Sequence, residues 1–310
     1  MVKFAFVFPG QGSQSVGMMQ GYADFPVVRA TFAEASDILG QDFWAMVNDG
    51  PADELNLTVN TQPLMLMTGV AVYRAWESLG GAKPVFMAGH SLAEYTALVA
   101  SGALTFADAL PLARFRAEAM QQAVPEGSSG MAAILGLDDE VVCAVCAEAA
   151  GGESLEPANF NSPGQVVIAG HRNAVLRGME LAKAKGAKRA VMLAMSVPSH
   201  CSLMSPVVEV MRQRLERVTL QAPKIPVLHN ADVQPHQDAA AIKDILLRQL
   251  CSPVRWNETI RAFAAAGVTH VAECGPGKVL AGLNKRIDAN LQSLALVDSE
   301  ALRQAAHVLI

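Results

Sequence analysis

Short runs of apolar residues recur along this chain, and stretches with helical periodicity separate them. Four runs lack the polar–apolar alternation of a half-exposed strand: FAFVF (Phe4–Phe8), PVFMAG (Pro84–Gly89), IPVLHN (Ile225–Asn230) and VTHVAEC (Val268–Cys274). Strands that are apolar on both faces are typical of parallel sheets covered by helices on both sides. Two long helices are expected to begin at about Thr61 and Thr105. The pattern therefore predicts an α/β protein with a mostly parallel sheet.

A different order of elements is expected between residues 131 and 195. Segments typical of strand, helix, strand, strand, helix and strand follow one another there, which is the order of a ferredoxin-like unit. The segment PEGSSG (Pro125–Gly130) is expected to lead into this unit, and SVPSH (Ser196–His200) to lead out of it. The expected domain bounds are residues 1–127 and 197–310 for a large α/β domain, and residues 128–196 for an inserted small subdomain.

Composition excludes two classes of protein. The formal net charge of −5 over 310 residues argues against a dedicated nucleic-acid-binding protein, which usually carries a basic excess. The apolar runs are shorter than the roughly 20 residues that a membrane-spanning helix needs. The N-terminal KFAFVF is also too short for the apolar core of a signal peptide. We therefore expect no nucleic-acid partner and no membrane partner.

The cysteines indicate a compartment. Five cysteines, an odd number, favour free thiols in a reducing environment, so we expect a cytoplasmic protein. The segment CAVC (Cys143–Cys146) has a spacing seen in redox and metal sites. It lies in a helix-type stretch with no second Cys/His pair at zinc spacing. We therefore expect two buried thiols there and no metal site.

The segment GHSLA (Gly89–Ala93) places a serine between an apolar run and a helix-type stretch. It nearly matches Gly-x-Ser-x-Gly, the sharp strand-to-helix turn that exposes a nucleophilic serine in α/β-hydrolases, so the large domain is expected to be α/β-hydrolase-like. Ser91 would lie at a helix N-terminus, where free N–H groups and the helix dipole favour negative charge. Ala93 replaces the last glycine of the pattern. The alternative is that Ser91 is an ordinary helix N-cap.

A serine nucleophile needs a general base. Among seven histidines, His200 is the best candidate because VPSHCSLM is expected to form a loop at the return to the large domain. No acidic residue between Ser91 and His200 is expected at the end of a large-domain strand; Asp108 and Glu118, for example, lie in one predicted helix. A backbone or amide oxygen is therefore expected to orient His200. This feature is a first indication that the chain is not a plain serine hydrolase.

Six segments together indicate a family. In chain order they are FVFPGQGSQSVGM (Phe6–Met18), GHSLAEYTALVASGAL (Gly89–Leu104), NFNSPGQVVIAG (Asn159–Gly170), SVPSHCSLM (Ser196–Met204), RQLCSPVRW (Arg248–Trp256) and ECGPGKVLAGLNKRI (Glu273–Ile287). They resemble the malonyl-CoA:acyl carrier protein transacylase family, in that family's order and over nearly the whole chain. The family also has a ferredoxin-like subdomain. Ala93, where the family usually has glycine, is the main departure.

The resemblance implies a nucleophile, a base and an oxyanion hole. By that resemblance Ser91 is the nucleophile, His200 is the base, and the backbone N–H groups of Gln11 and Leu92 form the oxyanion hole. Gln11 lies in the loop PGQGSQ, whose flanking glycines allow the backbone to approach a ligand closely. Without the resemblance, this loop is equally well explained as a simple turn.

The resemblance also implies residues that bind the substrate. Arg116 would hold the malonyl carboxylate, since a guanidinium can grip a carboxylate with two parallel hydrogen bonds. Helical periodicity alone does not separate Arg116 from Arg114, and only the family pattern selects Arg116. Main chain near Gln249 would steady the histidine, and the Gln249 side chain either lines the site or lies on a helix surface. Asn159 and Asn161 match positions near the family's pocket, or are simply turn-forming asparagines.

The implied reaction is a ping-pong malonyl transfer. Malonyl-CoA would acylate the serine, and acyl carrier protein would accept the malonyl group, with no metal or redox cofactor. Because acyl carrier proteins are acidic, a basic docking surface is expected, either KAKGAKR (Lys183–Arg189) or the pair Lys285 and Arg286. The sequence is compatible with a monomer and leaves the oligomeric state open.

Three other functions share parts of this pattern. A serine hydrolase or thioesterase would use the same nucleophile turn but would not need Arg116. A catalytically silent subunit that binds carrier protein would form no acyl-enzyme. The malonyl transferase component of a malonate decarboxylase would use the same chemistry with another carrier.

Overall fold

The computed structural model describes residues 2–195 and 197–310. These residues form two sheets. Sheet A contains β1 (Phe4–Phe8), β2 (Phe86–Gly89), β7 (His270–Glu273) and β8 (Gln292–Ala295). Sheet B contains β3 (Ser129–Leu135), β4 (Leu155–Ser162), β5 (Gln165–His171) and β6 (Arg189–Met192).

The helices of the described residues cover both sheets. They are α1 (Pro26–Leu39), α2 (Phe43–Asp49), α3 (Ala52–Leu55), α4 (Thr58–Ser78), α5 (Ala93–Ala100), α6 (Phe106–Gln122), α7 (Asp139–Ala149), α8 (Arg172–Ala184), α9 (Ser205–Glu216), α10 (Ala239–Gln249), α11 (Trp256–Ala265), α12 (Val279–Ile287) and α13 (Ser299–Val308). Short 3₁₀ turns lie at Gln20–Tyr22 and Ser202–Met204.

Sheet A is parallel throughout, in the order β2-β1-β7-β8. All five residues of β1 are buried, because helices cover both faces of this central strand. Phe6 points to one face and packs edge-on against Trp76 of α4, with ring centroids 5.1 Å apart. Val7 points to the other face and joins a cluster that includes Trp256 of α11. The predicted mostly parallel α/β sheet is confirmed.

Sheet B is antiparallel, in the order β4-β5-β3-β6. Along the chain its elements run β3, α7, β4, β5, α8 and β6. On one face, Ile134 and Ile168 pack with residues of α7 and α8. On the other face, Met131 and Val167 pack with Cys201, which directly follows the candidate base His200. Sheet B is therefore covered by its own helices on one side and meets the residues around the candidate site on the other.

Three elements differ from the sequence prediction. The run IPVLHN is not a full strand: only Val227 and Leu228 form isolated bridges, beside Met87 and Pro235. Pro226 has no N–H to donate, and Asn230 already lies in a turn, so the ladder cannot extend. The helix expected from Thr61 begins three residues earlier and contains Pro63. Strand β8 was not predicted, because its residues are half-exposed and only four in number.

The cysteine prediction is wrong for one residue. Cys146 is buried, but Cys143 is exposed, because it lies on the outer face of α7. Residues 2–195 and 197–310 contain no group of three or more His, Cys, Asp or Glu side chains able to hold a metal ion. Within the same residues, no helix is long and apolar enough to cross a membrane. Ser196, the first residue of the expected outgoing linker, lies outside the described residues.

Candidate active site

The turn between β2 and α5 holds Ser91 in a left-handed backbone conformation, with φ at 55°. A Cβ atom on Gly89 would lie 1.8 Å from the carbonyl oxygen of Ala93, so the turn can close only with glycine at that position. A non-glycine residue with such a φ stores about 1–3 kcal/mol of strain, and such residues cluster at functional sites. The sharp strand-to-helix turn thus has the backbone geometry that exposes a serine hydroxyl.

The glycine-rich loop after β1 lies against this turn. A Cβ on Gly10 would lie 2.5 Å from the carbonyl oxygen of His90, so the two segments touch through their backbones. Among residues 2–195 and 197–310, no hydrogen bond engages the main-chain N–H of Gln11 or of Leu92. Two free donors beside the serine are the arrangement that an oxyanion requires.

His200 contacts the serine directly. Its Nε2 lies 2.6 Å from Ser91 Oγ, and its Nδ1 lies 2.8 Å from the main-chain oxygen of Gln249. A carbonyl oxygen only accepts, so Nδ1 carries the proton and the Nε2 lone pair faces the serine hydroxyl. Because Gln249 O fixes the tautomer and the ring plane, no carboxylate is needed for that role.

The environment keeps His200 neutral. Burial first, and then the positive charge of Arg116, lower the pKa of this imidazole to about 3. Hydrogen bonding to main-chain oxygen opposes the shift, and His90 adds a small further lowering. At neutral pH the ring is therefore an unprotonated base.

Arg116 is a buried cation that forms no salt bridge among residues 2–195 and 197–310; the carboxylate of Glu94 acts on it only at longer range. Arg116 is 1% exposed. Its guanidinium donates to two neutral amide oxygens, Gln62 Oε1 at 2.7 Å and Gln249 Oε1 at 3.0 Å. Its Nε has no protein partner in the part of the chain that the structure describes. A buried charge is costly unless it is paired, so this cation is poised to bind an anion.

Arg114, two residues earlier on α6, lies outside the pocket around Ser91. Its Nη2 donates to Gln41 Oε1 at 2.5 Å, and its guanidinium lies over the ring of Phe43. It does not line the pocket around Ser91. The structure therefore brings Arg116, and not Arg114, to the serine.

A cavity of about 160 Å³ joins these groups. Seven of the eight site residues predicted from the sequence line it: Gln11, Ser91, Leu92, Arg116, Asn159, Asn161 and His200. The eighth, Gln249, is fully buried behind them. It reaches the site through its hydrogen bonds to His200, Arg116 and Ser91.

The two asparagines bound the cavity from sheet B. Asn161 Oδ1 accepts a hydrogen bond from His90 Nε2 at 2.8 Å, and the His90 ring lies 5.3 Å from that of Trp256. Burial lowers the pKa of His90, so it serves as a neutral donor. Asn159 is 7% exposed and forms a bridge to Val254 through its backbone. Both asparagines belong to β4 rather than to a turn.

Three site residues escaped the sequence analysis. Gln62 of α4 binds Arg116. Asn230 accepts the main-chain N–H of Ser91 at 2.7 Å. Glu94, fully buried in the first turn of α5, accepts hydrogen bonds from Asn230 and Gln249. One sequence feature could have identified Glu94: it is an acidic residue three positions after the candidate nucleophile. No sequence feature singles out Gln62 or Asn230.

Comparison with known proteins gives a consistent family. The model of the acyl transferase domain matches residues 5–298. Over 306 residues, the chain is 54% identical to malonyl CoA-acyl carrier protein transacylase of Salmonella typhimurium, covering 98% of this chain and 99% of the relative.

Solved structures agree with that relationship. Acyl-carrier-protein S-malonyltransferase from Burkholderia pseudomallei has a TM-score of 0.97 and 59% identity, covering 99% of this chain and 100% of the other. A malonyl-transacylase in complex with a type II PKS acyl-carrier protein has a TM-score of 0.98 and 50% identity, covering 99% of both chains. By sequence and by fold, this chain belongs to the acyltransferase family, among the malonyl CoA-acyl carrier protein transacylases.

Proposed function

We propose that this chain transfers the malonyl group from malonyl-CoA to the phosphopantetheine thiol of acyl carrier protein, in fatty acid biosynthesis. The observation that carries the proposal is a single cavity lined by a serine–histidine pair and by an arginine. Within the described residues, this arginine forms no salt bridge with a carboxylate. Ser91 Oγ lies 2.6 Å from His200 Nε2, and Arg116 lines the same cavity. The relatives named above are malonyl transferases, which also supports the proposal.

The first half-reaction forms an ester. His200 Nε2 removes the hydroxyl proton while Ser91 Oγ attacks the thioester carbonyl carbon. The carbonyl oxygen becomes an oxyanion, which the N–H groups of Gln11 and Leu92 stabilise; one such donor is typically worth about 10²–10³ in rate. The C–S bond then breaks, and the thiolate takes the proton from His200 and leaves as coenzyme A.

The malonyl ester is then held for the second thiol. Two nitrogens of Arg116 are anchored by Gln62 and Gln249, which fixes the guanidinium plane for the malonyl carboxylate. The phosphopantetheine thiol gives its proton to His200 and attacks the ester carbonyl. Ser91 leaves with that proton, and malonyl-carrier protein is released. The protein's own residues carry out every proton transfer, so no cofactor is part of the proposal.

The carrier protein is proposed to dock on α12. Val279, Leu280 and Leu283 of this helix line the cavity, and Lys285 and Arg286 follow in its last turn. The alternative patch is partly neutralised, because Lys183 pairs with Glu180 and Lys185 pairs with Glu148. An acidic partner approaching the mouth of the cavity would therefore meet the α12 cations first.

The proposal also includes two features of the fold, a ferredoxin-like subdomain and an α/β-hydrolase-like large domain. The strand order and connections of sheet B support a ferredoxin-like subdomain within residues 128–196. The nucleophile turn and parallel sheet A support an α/β-hydrolase-like large domain formed by residues 1–127 and 197–310. We also propose a cytoplasmic location, on the cysteine pattern that the sequence analysis used.

Intact-mass measurement tests the proposed function. The protein is mixed with malonyl-CoA, quenched in acid and weighed. We expect the mass to rise by one malonyl group in the wild type and to remain unchanged in Ser91→Ala. Acyl carrier protein should then remove the adduct and gain it.

The other outcomes identify the alternatives. Rapid release of free malonate in buffer would favour a hydrolase or thioesterase. Absence of any adduct would favour a silent binding subunit. Discharge to a different thiol carrier, with acyl carrier protein inert, would favour a malonate decarboxylase component.

A further inference from the structure

Glu94 is a buried carboxylate that the proposed mechanism does not use. It lies three residues after Ser91 and is 0% exposed. Within the described residues, the one basic side chain within 4 Å of it is His229, whose Nδ1 lies 3.5 Å from Oε1. Burying a carboxylate costs several kcal/mol unless hydrogen bonds compensate it.

Each carboxylate oxygen of Glu94 holds one amide residue. Oε1 accepts the main-chain N–H of Asn230, and Oε2 accepts Nε2 of Gln249. Asn230 follows the isolated bridges beside β2, and Gln249 ends α10. One side chain on α5 thus ties together two segments that come from distant parts of the chain.

Those two amides clamp the strained serine. Asn230 Oδ1 accepts the N–H of Ser91 at 2.7 Å, and its Nδ2 donates to the carbonyl of Gly89 at 2.8 Å. Gln249 Nε2 donates to the carbonyl of Ser91 at 2.9 Å. Both main-chain groups of a residue with φ at 55° are therefore bound by the side chains of two residues that Glu94 holds, Asn230 through its main-chain N–H and Gln249 through its side chain.

Gln249 also forms hydrogen bonds to the other two functional groups, Arg116 and His200. Its Oε1 accepts from Arg116 at 3.0 Å, and its main-chain oxygen accepts from His200 Nδ1 at 2.8 Å. An amide group can flip, exchanging its NH₂ end for its oxygen. A carboxylate only accepts, so Glu94 requires the NH₂ end to face it and the oxygen end to face Arg116.

We propose that Glu94 is a positioning residue for malonyl transfer: by fixing the Gln249 amide and the Asn230 backbone, it holds Ser91 and Arg116 in their reactive arrangement. This inference rests on the function proposed above and adds a residue to it. Glu94 touches no substrate in this arrangement, because it does not line the cavity. A purely structural carboxylate would not discriminate between acyl groups, whereas this role requires that it does.

The variant Glu94→Gln tests the role of the carboxylate with almost no change in volume. Its amide oxygen can still accept from Asn230, but its NH₂ would then face the NH₂ of Gln249. The amide of the new glutamine can avoid that contact only by turning its NH₂ toward the main-chain N–H of Asn230, which loosens Asn230, or by inducing a flip of the Gln249 amide. The flip would remove the acceptor from Arg116 and place Gln249 Oε1 against the Ser91 carbonyl. In single-turnover acylation, we expect the rate with malonyl-CoA to fall at least about 10-fold more than the rate with acetyl-CoA, as for the loss of one hydrogen bond to a charged group.

The matched control is Glu273→Gln, which also neutralises a fully buried glutamate. Glu273 lies on β7, and its Oε2 accepts the N–H of Ala281, a bond that glutamine can keep. This control should retain the wild-type ratio of malonyl to acetyl rates. If Glu94→Gln does not fold, Gln249→Ala is the readout: it removes the amide through which Glu94 is proposed to act, so it should lower the malonyl-to-acetyl ratio by a similar factor.

A double-mutant cycle with Gln249→Ala completes the test. If Glu94 acts through Gln249, Glu94→Gln should not change the malonyl-to-acetyl ratio further in the Gln249→Ala background. An unchanged ratio in Glu94→Gln, an unchanged ratio in Gln249→Ala, or fully additive effects would overturn the inference. These outcomes presuppose that the wild type forms malonyl-Ser91; failure to form it refutes the proposed function instead.

Discussion

At the scale of single residues, the site combines a neutral imidazole with a nearby charged guanidinium. Burial and, after it, the charge of Arg116 lower the pKa of His200, so the group proposed to bind the malonyl carboxylate also favours the neutral form of the proposed base. The sequence could predict both residue types, because the family resemblance includes their motifs. It could not separate Arg116 from Arg114 by periodicity. What separates them is contact with Gln62 and Gln249, which lie 54 and 133 positions away in the chain.

The low pKa of His200 predicts the pH dependence of acylation. A histidine at the ordinary value of 6.5 would lose most of its neutral form by pH 5, and the rate would fall roughly 30-fold. With a pKa of about 3, the single-turnover rate with malonyl-CoA should instead stay nearly constant from pH 8 to pH 5. With acetyl-CoA, whose acyl group leaves Arg116 unpaired, Arg116→Ala should raise this pKa and shift the loss of rate in acid to a higher pH. If the wild-type acylation rate instead falls in acid with a midpoint near pH 6.5, the buried environment assigned to His200 is contradicted.

At the scale of secondary-structure elements, the connection between β2 and α5 positions the chemistry. The apolar run and the following helix could be predicted because they are local patterns. The run IPVLHN was also local, yet only isolated bridges form there, because Pro226 and the turn at Asn230 stop the ladder. Glu94 and Asn230 could not be assigned roles from sequence, since their contacts join elements that are far apart in the chain.

The close packing of this connection makes Gly89 irreplaceable. In Gly89→Ala the new methyl group would meet the backbone of Ala93 at 1.8 Å. We expect about 3 kcal/mol of destabilisation, as for severe overpacking, together with loss of acylation. The control is Gly282→Ala on α12, where a Cβ meets nothing within 4 Å; it should stabilise the helix by about 0.5–1 kcal/mol. Urea denaturation and intact-mass acylation measure both effects, and an active, stable Gly89→Ala would refute the packing argument.

At the scale of the whole molecule, the cavity lies where sheet B and its flanking loops meet the carboxyl ends of β1 and β2. Asn159 and Asn161 come from sheet B, whereas Gln11 and Ser91 follow strands of sheet A. The order of strand-type and helix-type segments in the sequence predicted the elements of both sheets. Their mutual placement depends on contacts between them, and no local pattern encodes those contacts.

Docking of the carrier protein is a property of the whole surface. Charge reversal in Lys285→Glu with Arg286→Glu should raise KM for acyl carrier protein about 10-fold, as expected when electrostatic steering is reversed, and should change KM for malonyl-CoA less. The comparison variant, Lys183→Glu with Lys185→Glu, makes the same change in charge but should have little effect, because those lysines lie at the end of α8 and do not line the cavity. If the α12 variant changes both KM values equally, the proposal that acyl carrier protein docks on α12 is refuted.

Buried Glu273 affects the stability of the whole fold. Burial raises its pKa from 4.5 to about 7, against opposing hydrogen bonds from the start of α12. The folded protein therefore holds this proton more tightly than the unfolded chain, and the stability contributed by the group falls as pH rises from 4.5 to 7. Glu273→Gln should thus be more stable than the wild type at pH 8, by about 3 kcal/mol, with the difference vanishing near pH 4. Denaturation at both pH values measures it, and a less stable variant at pH 8 would contradict the assignment.

The measurement that most directly tests malonyl selection compares two arginines on one helix. Single-turnover acylation of Ser91 is followed with malonyl-CoA and acetyl-CoA in the wild type, Arg116→Ala and Arg114→Ala. Loss of two hydrogen bonds from a buried guanidinium to a carboxylate should slow malonyl acylation by Arg116→Ala about 10²–10³-fold, with little effect on acetyl acylation. Arg114→Ala should resemble the wild type with both substrates. Equal slowing of malonyl and acetyl acylation in Arg116→Ala, or unimpaired malonyl acylation, would contradict a site built to hold a dicarboxylic acyl group.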